Sequence, residues 1–334
     1  MSRLPITTMS LCLMLLAGTV PAASTADARG PAPKRKVALG MATWDGRNIG
    51  QLDTLTAAMG GRRPAIWAIW SQWGSERTRG FPQQAANALA ARGVTPMIWW
   101  EPVEPGQLHS PTYARYANIA GGRHDPYIRQ YARAARDFRR PILLRFAHEA
   151  NGTYFPWSIG RFGNTPRTYK AAWRHVHGIF RRQGATNVKF VWSVAKKRCP
   201  GGCNPYARLY PGDRFVDQMG ASVHNWGTMK RWVPMYQGAR RVTRLLKQVS
   251  GKPIIVAESG SSSRGGNKAR WIWKGYRKVY RRLPAIKAIV YLNADLRSLG
   301  HPDWRIASPR RALAAYARIA AMRKFSARWP AKRR

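Results

Sequence analysis

Eight short apolar runs punctuate the chain, and seven segments with helical periodicity lie among and after them. The runs begin near Val37, Pro64, Thr95, Pro141, Val188, Gln218, Pro253 and Ile286. They are continuous rather than alternating, as in Pro-Ile-Leu-Leu-Arg-Phe and Lys-Pro-Ile-Ile-Val-Ala, and continuous apolar runs of this length mark strands buried on both faces. Helical patterns fall around residues 51–59, 82–91, 125–138, 166–183, 232–250, 267–282 and 309–322. Gly93 and Gly184 stand where helices end, and Pro166 and Pro309 where a first turn tolerates proline.

Eight strands alternating with helices in about three hundred residues, without a break in composition, predict a single (β/α)8 TIM barrel over residues 37–322. A doubly wound sheet is the alternative. No Gly-x-Gly-x-x-Gly follows the first strand, and polar and aromatic residues gather just after most strand ends, where barrels build their active sites. Both points favour the barrel.

The two ends of the chain read differently. Met1-Ser2-Arg3, an apolar stretch from about Ile6 to Val20 and the small residues Pro21-Ala22-Ala23-Ser24 form a secretory signal pattern, so residues 1–28 are expected to be leader and the start of a linker. The apolar stretch is short for a membrane span, and no later segment approaches the roughly twenty residues a span needs. The expectation is a secreted protein that can associate with the wall in its mature form, with no membrane span, and a monomer. Residues 323–334 read as a basic C-terminal tail. Past the leader, Cys199 and Cys203 are the remaining cysteines, and an oxidising compartment favours a small-loop disulfide between them over free thiols.

Charge changes the picture further. With 58 Lys+Arg against 14 Asp+Glu the net charge is +44, which predicts attraction to polyanions such as an anionic cell-wall polymer. Arginines are spread along the whole chain, so a compositional bias on solvated faces competes with a dedicated polyanion function.

Against that background carboxylates are scarce. Only five glutamates occur, and Glu149 and Glu258 close the fourth and seventh apolar runs. On a closed barrel those strand ends face each other across the mouth. Retaining glycosidases need two carboxyl groups about 5–5.5 Å apart, one to attack the anomeric carbon and one to protonate the leaving oxygen. A buried ion pair with arginine is the competing explanation for either glutamate alone. Glu101 is a third strand-end carboxylate, suited to support a basic residue or hold a sugar hydroxyl. Trp99, Trp100, Tyr154, Trp157, Trp226, Tyr291 and Trp304 lie at or just after strand ends, where flat sugar faces could stack, although each could equally be core. His148-Glu149 begins like a zinc-protease helix, but Gly152 occupies the second histidine's place, and no metal site is expected. Asn151-Gly-Thr153 is formally a glycosylation acceptor inside the presumed active-site loop.

Arg145-Phe-Ala-His-Glu-Ala-Asn-Gly-Thr-Tyr-Phe-Pro-Trp157 resembles the acid/base strand of glycoside hydrolase family 26, the β-mannanase and related endoglycanase family. Tyr169-Lys-Ala-Ala-Trp-Arg-His-Val-His resembles the following helix and Phe190-Val-Trp-Ser the fifth strand. Leu209-Tyr-Pro-Gly-Asp-Arg-Phe-Val-Asp-Gln-Met-Gly220 resembles the approach to the sixth strand. Lys252-Pro-Ile-Ile-Val-Ala-Glu-Ser-Gly260 resembles the nucleophile strand, and Asp303-Trp-Arg-Ile the segment after the eighth. The resemblance implies a polysaccharide substrate, Glu149 as acid/base, Glu258 as nucleophile, retention of configuration and no cofactor. Arg145 and His148 would position Glu149 and bind hydroxyls, and His224 would orient Glu258. Two departures stand out. His224 occupies the place of a tyrosine in the family's Asp-x-Tyr-Asn, and Ser193-Val-Ala replaces the usual Ser-Pro-Asn. A non-catalytic, cationic wall-polymer binding protein on the same barrel is the competing reading. A specific nucleic-acid binder is disfavoured, since no nucleic-acid-reading module is present.

Overall fold

The computed structural model describes residues 35–107, 109–196 and 205–329. Eight strands, β1 (Ala38–Thr43), β2 (Ile66–Gln72), β3 (Thr95–Glu101), β4 (Ile142–Phe146), β5 (Val188–Val194), β6 (Gln218–Asn225), β7 (Ile254–Ser261) and β8 (Ile286–Asn293), close into a barrel in sequence order. Every neighbouring pair is parallel, β8 against β1 included. Each strand starts within two residues of its predicted position. This is the (β/α)8 barrel expected from the alternation of elements.

Outside it run α1 (Gly50–Ala58), α2 (Gln83–Ala91), α3 (Tyr116–Ala120), α4 (Asp125–Asp137), α5 (Pro166–Arg182), α6 (Met235–Lys247), α7 (Lys268–Arg282) and α8 (Arg310–Ala320). The short α3 had no sequence signal. It exists because it packs beside α5, with Tyr116 edge-on to Tyr169 at 5.0 Å between ring centroids. In α5 the apolar positions Tyr169, Ala172, Trp173, Val176 and Phe180 recur at helical spacing and are buried, so one stripe faces the sheet. Thr165 caps its first turn reciprocally with Thr168, and Pro166 needs no amide there. Gly93 and Gly184 adopt φ of 68° and 76°, the left-handed geometry that ends α2 and α5. No helix among the described residues is long and apolar enough to cross a membrane.

Alternate residues of each strand sort into two apolar layers. Ala38, Ile66, Ala68, Met97, Leu143, Val191, Ile255, Ala288 and Val290 fill the barrel interior. Trp67, Ile98, Trp100, Leu144, Phe146, Trp192, Ile289 and Tyr291 face the helices. The segment expected as a basic tail is partly structural. Phe325 is buried, the Val37 amide donates to the Lys324 carbonyl, and Trp329 packs against the interior layer while the Thr95 hydroxyl donates to its carbonyl. The chain thus closes the lower end of the barrel with its own C-terminal aromatic residues, and the opposite end stays available for a site.

Candidate active site

At the upper end β4 terminates abruptly. After Phe146 the backbone turns through Ala147 at φ 40° and Glu149 at φ 55°, left-handed values that residues with a Cβ rarely adopt. Neighbouring strands hold this turn on both sides. The Ala147 amide donates to the Trp100 carbonyl of β3 at 3.0 Å, and the Glu149 amide donates to the Ser193 carbonyl of β5 at 2.8 Å. Strain maintained this way is typical where a side chain must be aimed. Asn151 continues the tether by exchanging two hydrogen bonds with Ala195, at 2.9 and 2.8 Å. Its amide is buried and fully engaged, so the formal glycosylation signal cannot be read as an exposed acceptor.

Glu258 reaches the mouth by a different device. Ala257 already faces the barrel interior, so strict alternation would turn Glu258 outward. Ala221 and Ser222 of β6 pair with Val256 and Glu258, and Ile289 and Tyr291 of β8 bracket Val256 and Ser259. One extra residue on β7 is a bulge, and bulges re-aim side chains.

Arg145, on β4, joins the two carboxylates. Its guanidinium is fully buried, with Nη1 donating to Glu258 Oε2 at 2.9 Å and Nη2 lying 3.7 Å from Glu149 Oε1. Nη2 also donates to Ser222 Oγ at 3.0 Å, and the cation sits 4.4 Å above the Trp99 ring. A planar guanidinium with this many fixed partners has one orientation, so it sets where both carboxylates stand. His224 Nε2 approaches the other oxygen of Glu258 at 3.3 Å. Burial works to raise the Glu258 pKa, but the histidine contact and the Arg145 charge outweigh it and hold the group well below the usual carboxylate range. The Tyr154 hydroxyl donates to Glu149 Oε2, and burial together with that carboxylate keeps the phenol protonated.

Behind this pair lies a second buried layer. Gln72 Nε2 donates to Glu101 Oε2 at 2.9 Å, and His148 Nε2 stands 3.8 Å from Glu101 Oε1. Burial pushes the Glu101 pKa up to about 7, against the opposing pull of Gln72 and Arg145. Burial, reinforced by Arg145, pushes His148 well below its ordinary value, so its ring is neutral. Trp157 braces it, with Nε1 donating to the His148 carbonyl at 2.8 Å and the ring stacked on Phe155 at 4.3 Å.

Glu101 carries a pH prediction. Its folded pKa lies above its ordinary 4.5, so its contribution to folding is fully present below about pH 4.5 and is lost as pH rises through 7. Glu101→Gln removes that titration. Scanning calorimetry should show the variant retaining roughly 3–6 °C more of its melting temperature than wild type on going from pH 5 to pH 8. An unchanged pH dependence contradicts the assignment.

Aromatic residues line two walls. On one, Trp44, Trp70 and Trp99 descend from the rim, with ring centroids 6.1 and 4.3 Å apart. Trp44 is 62% exposed. On the other, Trp226 meets Trp304 edge-on at 5.6 Å, and Trp304 lies 5.0 Å from His224. A Cβ on Gly260 would fall 2.9 Å from the Trp304 ring, so only glycine admits that ring beside the histidine. The buried Lys268 fixes the loop carrying Trp304, donating to the carbonyls of Asp303, Arg305 and Ser308 at 2.9–3.1 Å.

The structure brings together Glu149, Glu258, Arg145, His148, Glu101, Tyr154, His224, Trp226 and Trp304. Two sequence candidates lie elsewhere. Trp100 points away from the mouth into the helix layer, packing on Tyr131 at 4.8 Å with Nε1 donating to Tyr127. Tyr291 likewise faces outward, 6.2 Å from Tyr316 of α8. Strand alternation decides both, because each neighbours a residue that points inward. Trp157 supports the site from beneath, its ring taken up by Phe155 and its Nε1 by the His148 carbonyl. Trp44, Trp70 and Gln72 were not among the candidates, though the inward parity of Trp70 and Gln72 on β2 was a usable signal. Cys199 and Cys203 lie outside the described residues.

A barrel with strand-end carboxylates gathered on one arginine between aromatic walls belongs to the class of (β/α)8 glycosidase-like proteins. The sequence profile of glycosyl hydrolase family 26 matches residues 117–258, a span that contains Glu149 and ends on Glu258. The chain is 38% identical to Endoglucanase H of Acetivibrio thermocellus over 236 residues, 69% of this chain and 25% of that protein. It is 26% identical to a beta-1,3-xylanase of a Vibrio species over 210 residues, 58% of this chain and 43% of that one. It therefore spans a quarter of the first relative and under half of the second. The barrel superimposes on the Bacteroides ovatus GH26 beta-mannanase with a TM-score of 0.64 at 17% identity, covering 87% of this chain and 90% of that one. For the catalytic domain of a GH26 endo-beta-1,4-mannanase from Bacillus sp. JAMB-750 the TM-score is 0.66 at 16% identity, with 87% of each chain covered. The chain belongs to glycosyl hydrolase family 26.

Proposed function

We propose that the chain is a secreted, retaining endo-β-glycosidase that cleaves β-mannan or a related β-linked glucan or xylan by double displacement. The observation that carries this reading is the convergence of Glu149 and Glu258 on one guanidinium, at 3.7 and 2.9 Å. Glu258, kept ionised by Arg145 and His224, attacks the anomeric carbon as Glu149 delivers a proton to the departing glycosidic oxygen. The glycosyl ester then forms on Glu258, and Glu149, now a carboxylate, takes a proton from the water that displaces it. Tyr154, donating to Glu149 Oε2, and Arg145, 3.7 Å from Oε1, orient the acid towards the leaving group. Neutral His148, and the Glu101 carboxyl below about pH 7, back the pair without adding charge beside the acid.

The relatives named endoglucanase and xylanase support a β-linked polysaccharide as the substrate class. The apolar leader supports export. The assay is release of reducing ends from mannan, mixed-linkage glucan and xylan by the purified chain. Activity on one of the three is expected. Failure on all three, with salt-sensitive pelleting on cell walls, would instead favour the wall-binding protein.

The Trp44–Trp70–Trp99 wall makes a further prediction. Trp44→Ala should raise KM for a polymer about fivefold, the equivalent of ~1 kcal/mol of stacking, with kcat changed much less. An unaltered KM would remove this wall from the binding path.

A further inference from the structure

The wall on the nucleophile side differs from the opposite wall in its charge. Lys196, directly after β5, lays its Nζ 3.5 Å from the His224 carbonyl, and Lys230 sets its Nζ 4.1 Å above the Trp226 ring. Lys196 therefore borders His224, which contacts Glu258, and Lys230 borders Trp226 two positions further along the chain. Burial, with the charges of Arg241 and Lys230, lowers the Lys196 pKa, and the His224 carbonyl is the acceptor its ammonium reaches. Among the described residues no carboxylate pairs with Lys196 or Lys230. Glu258 is committed to Arg145 and His224, Asp295 to Arg297, and Asp303 to Arg305. His301, 5.0 Å from Trp226, adds a polar edge that senses Lys230, His224 and Glu258.

Cations without a carboxylate partner beside a stacking ring, Lys196 half-buried and Lys230 exposed, are arranged to meet an anion attached to a flat apolar body. A pyranose bearing a carboxylate has that form. We propose that the Lys196–Lys230–Trp226 notch is a subsite for a uronate-type residue, so that the preferred substrate is a carboxylate-bearing β-linked polysaccharide. The ring stacks on Trp226 while the carboxylate accepts from the two ammonium groups. This inference rests on the glycosidase reading and names its substrate class. It also gives the high positive charge a local function, distinct from its long-range pull on any polyanion.

The test separates local recognition from that general attraction, which salt screens beyond about 8 Å at physiological ionic strength. The inactive Glu149→Gln chain is titrated calorimetrically in 150 mM salt with a β-glucan oligosaccharide and with its carboxymethylated and sulfated counterparts. The carboxymethylated ligand should bind about tenfold more tightly than the neutral one, as two charge-assisted hydrogen bonds allow. Adding Lys196→Met and Lys230→Met should erase that preference, and Lys230→Arg should keep most of it. Lys274→Met with Lys278→Met, an equal loss of charge on α7, should leave it intact. Equal losses from both lysine pairs, or equal affinity for neutral and carboxylated ligands, overturn the subsite alone. Tighter binding of the sulfated ligand reassigns the notch to sulfate and overturns the uronate choice. Binding of no ligand at all would overturn both the subsite and the glycosidase reading.

Discussion

Glu258→Gln lowers kcat on a β-linked polysaccharide by roughly four to six orders of magnitude, the scale on which loss of a covalent nucleophile is felt. Glutamine keeps the shape of the side chain and can still accept from Arg145 Nη1, so the fold should survive with little change in melting temperature. What disappears is the negative charge that Arg145 and His224 hold in place. Glu258→Gly should lose as much activity, yet sodium azide should restore cleavage of an aryl glycoside, since the vacated space admits a small anion. The recovered product should be the α-glycosyl azide, because a single displacement inverts the centre. A variant keeping more than about one per cent of activity, or azide without effect, would remove Glu258 from the nucleophile's role.

Glu149→Ala has a more selective signature. On polysaccharide, where the departing sugar oxygen must be protonated, kcat should fall by about a hundred- to ten-thousandfold. On a dinitrophenyl glycoside, whose leaving group needs no proton, glycosylation should stay close to the wild-type rate, and slow deglycosylation should produce a burst. The alkaline limb of the pH profile should vanish on that substrate as well. The prediction discriminates because Glu149 and Glu258 share one arginine and could each be mistaken for a simple ion pair. A carboxylate that only pairs with the arginine would lower all substrates alike.

Much of this architecture was readable from hydrophobic pattern. Proline-led runs such as Pro141-Ile-Leu-Leu and Pro253-Ile-Ile-Val cannot be alternating surface strands, and their spacing leaves room for a helix between most of them, so the closed parallel barrel followed. The carboxylates stood out because Glu149 and Glu258 end those runs in a chain that otherwise favours cations. Facing was harder to read. Trp99 and Trp100 are adjacent, yet one lies against Arg145 in the mouth and the other on Tyr131 in the outer layer. Alternation could have separated them, and would also have set Tyr291 outward beside the inward Leu292. Glu258 obeys no such rule, because the bulge at Ala257–Glu258 is a property of three strands together and leaves no local mark. The left-handed turn through Ala147 and Glu149 was equally hidden, since neither residue type prefers it. Arg145 was named as a positioning residue, but its grip on both carboxylates at once depends on register between β4, β6 and β7. The closure of the barrel floor by Trp329 was invisible behind the basic composition of the C-terminus.

His224 shows how the site departs from the usual pattern of its family. An imidazole 3.3 Å from Glu258, wedged beside Trp304 by the absence of a side chain at Gly260, replaces a phenol with a group that can carry charge. It lies on the same wall as Lys196 and Lys230, so nucleophile orientation and substrate charge are handled by one face of the cleft.

The stereochemistry of the first product tests the central claim most directly. Proton NMR of a fresh digest, read before mutarotation, should show the new reducing end appearing as the β-anomer. Initial release of the α-anomer would mean a single inverting displacement by water, and would contradict a covalent step on Glu258.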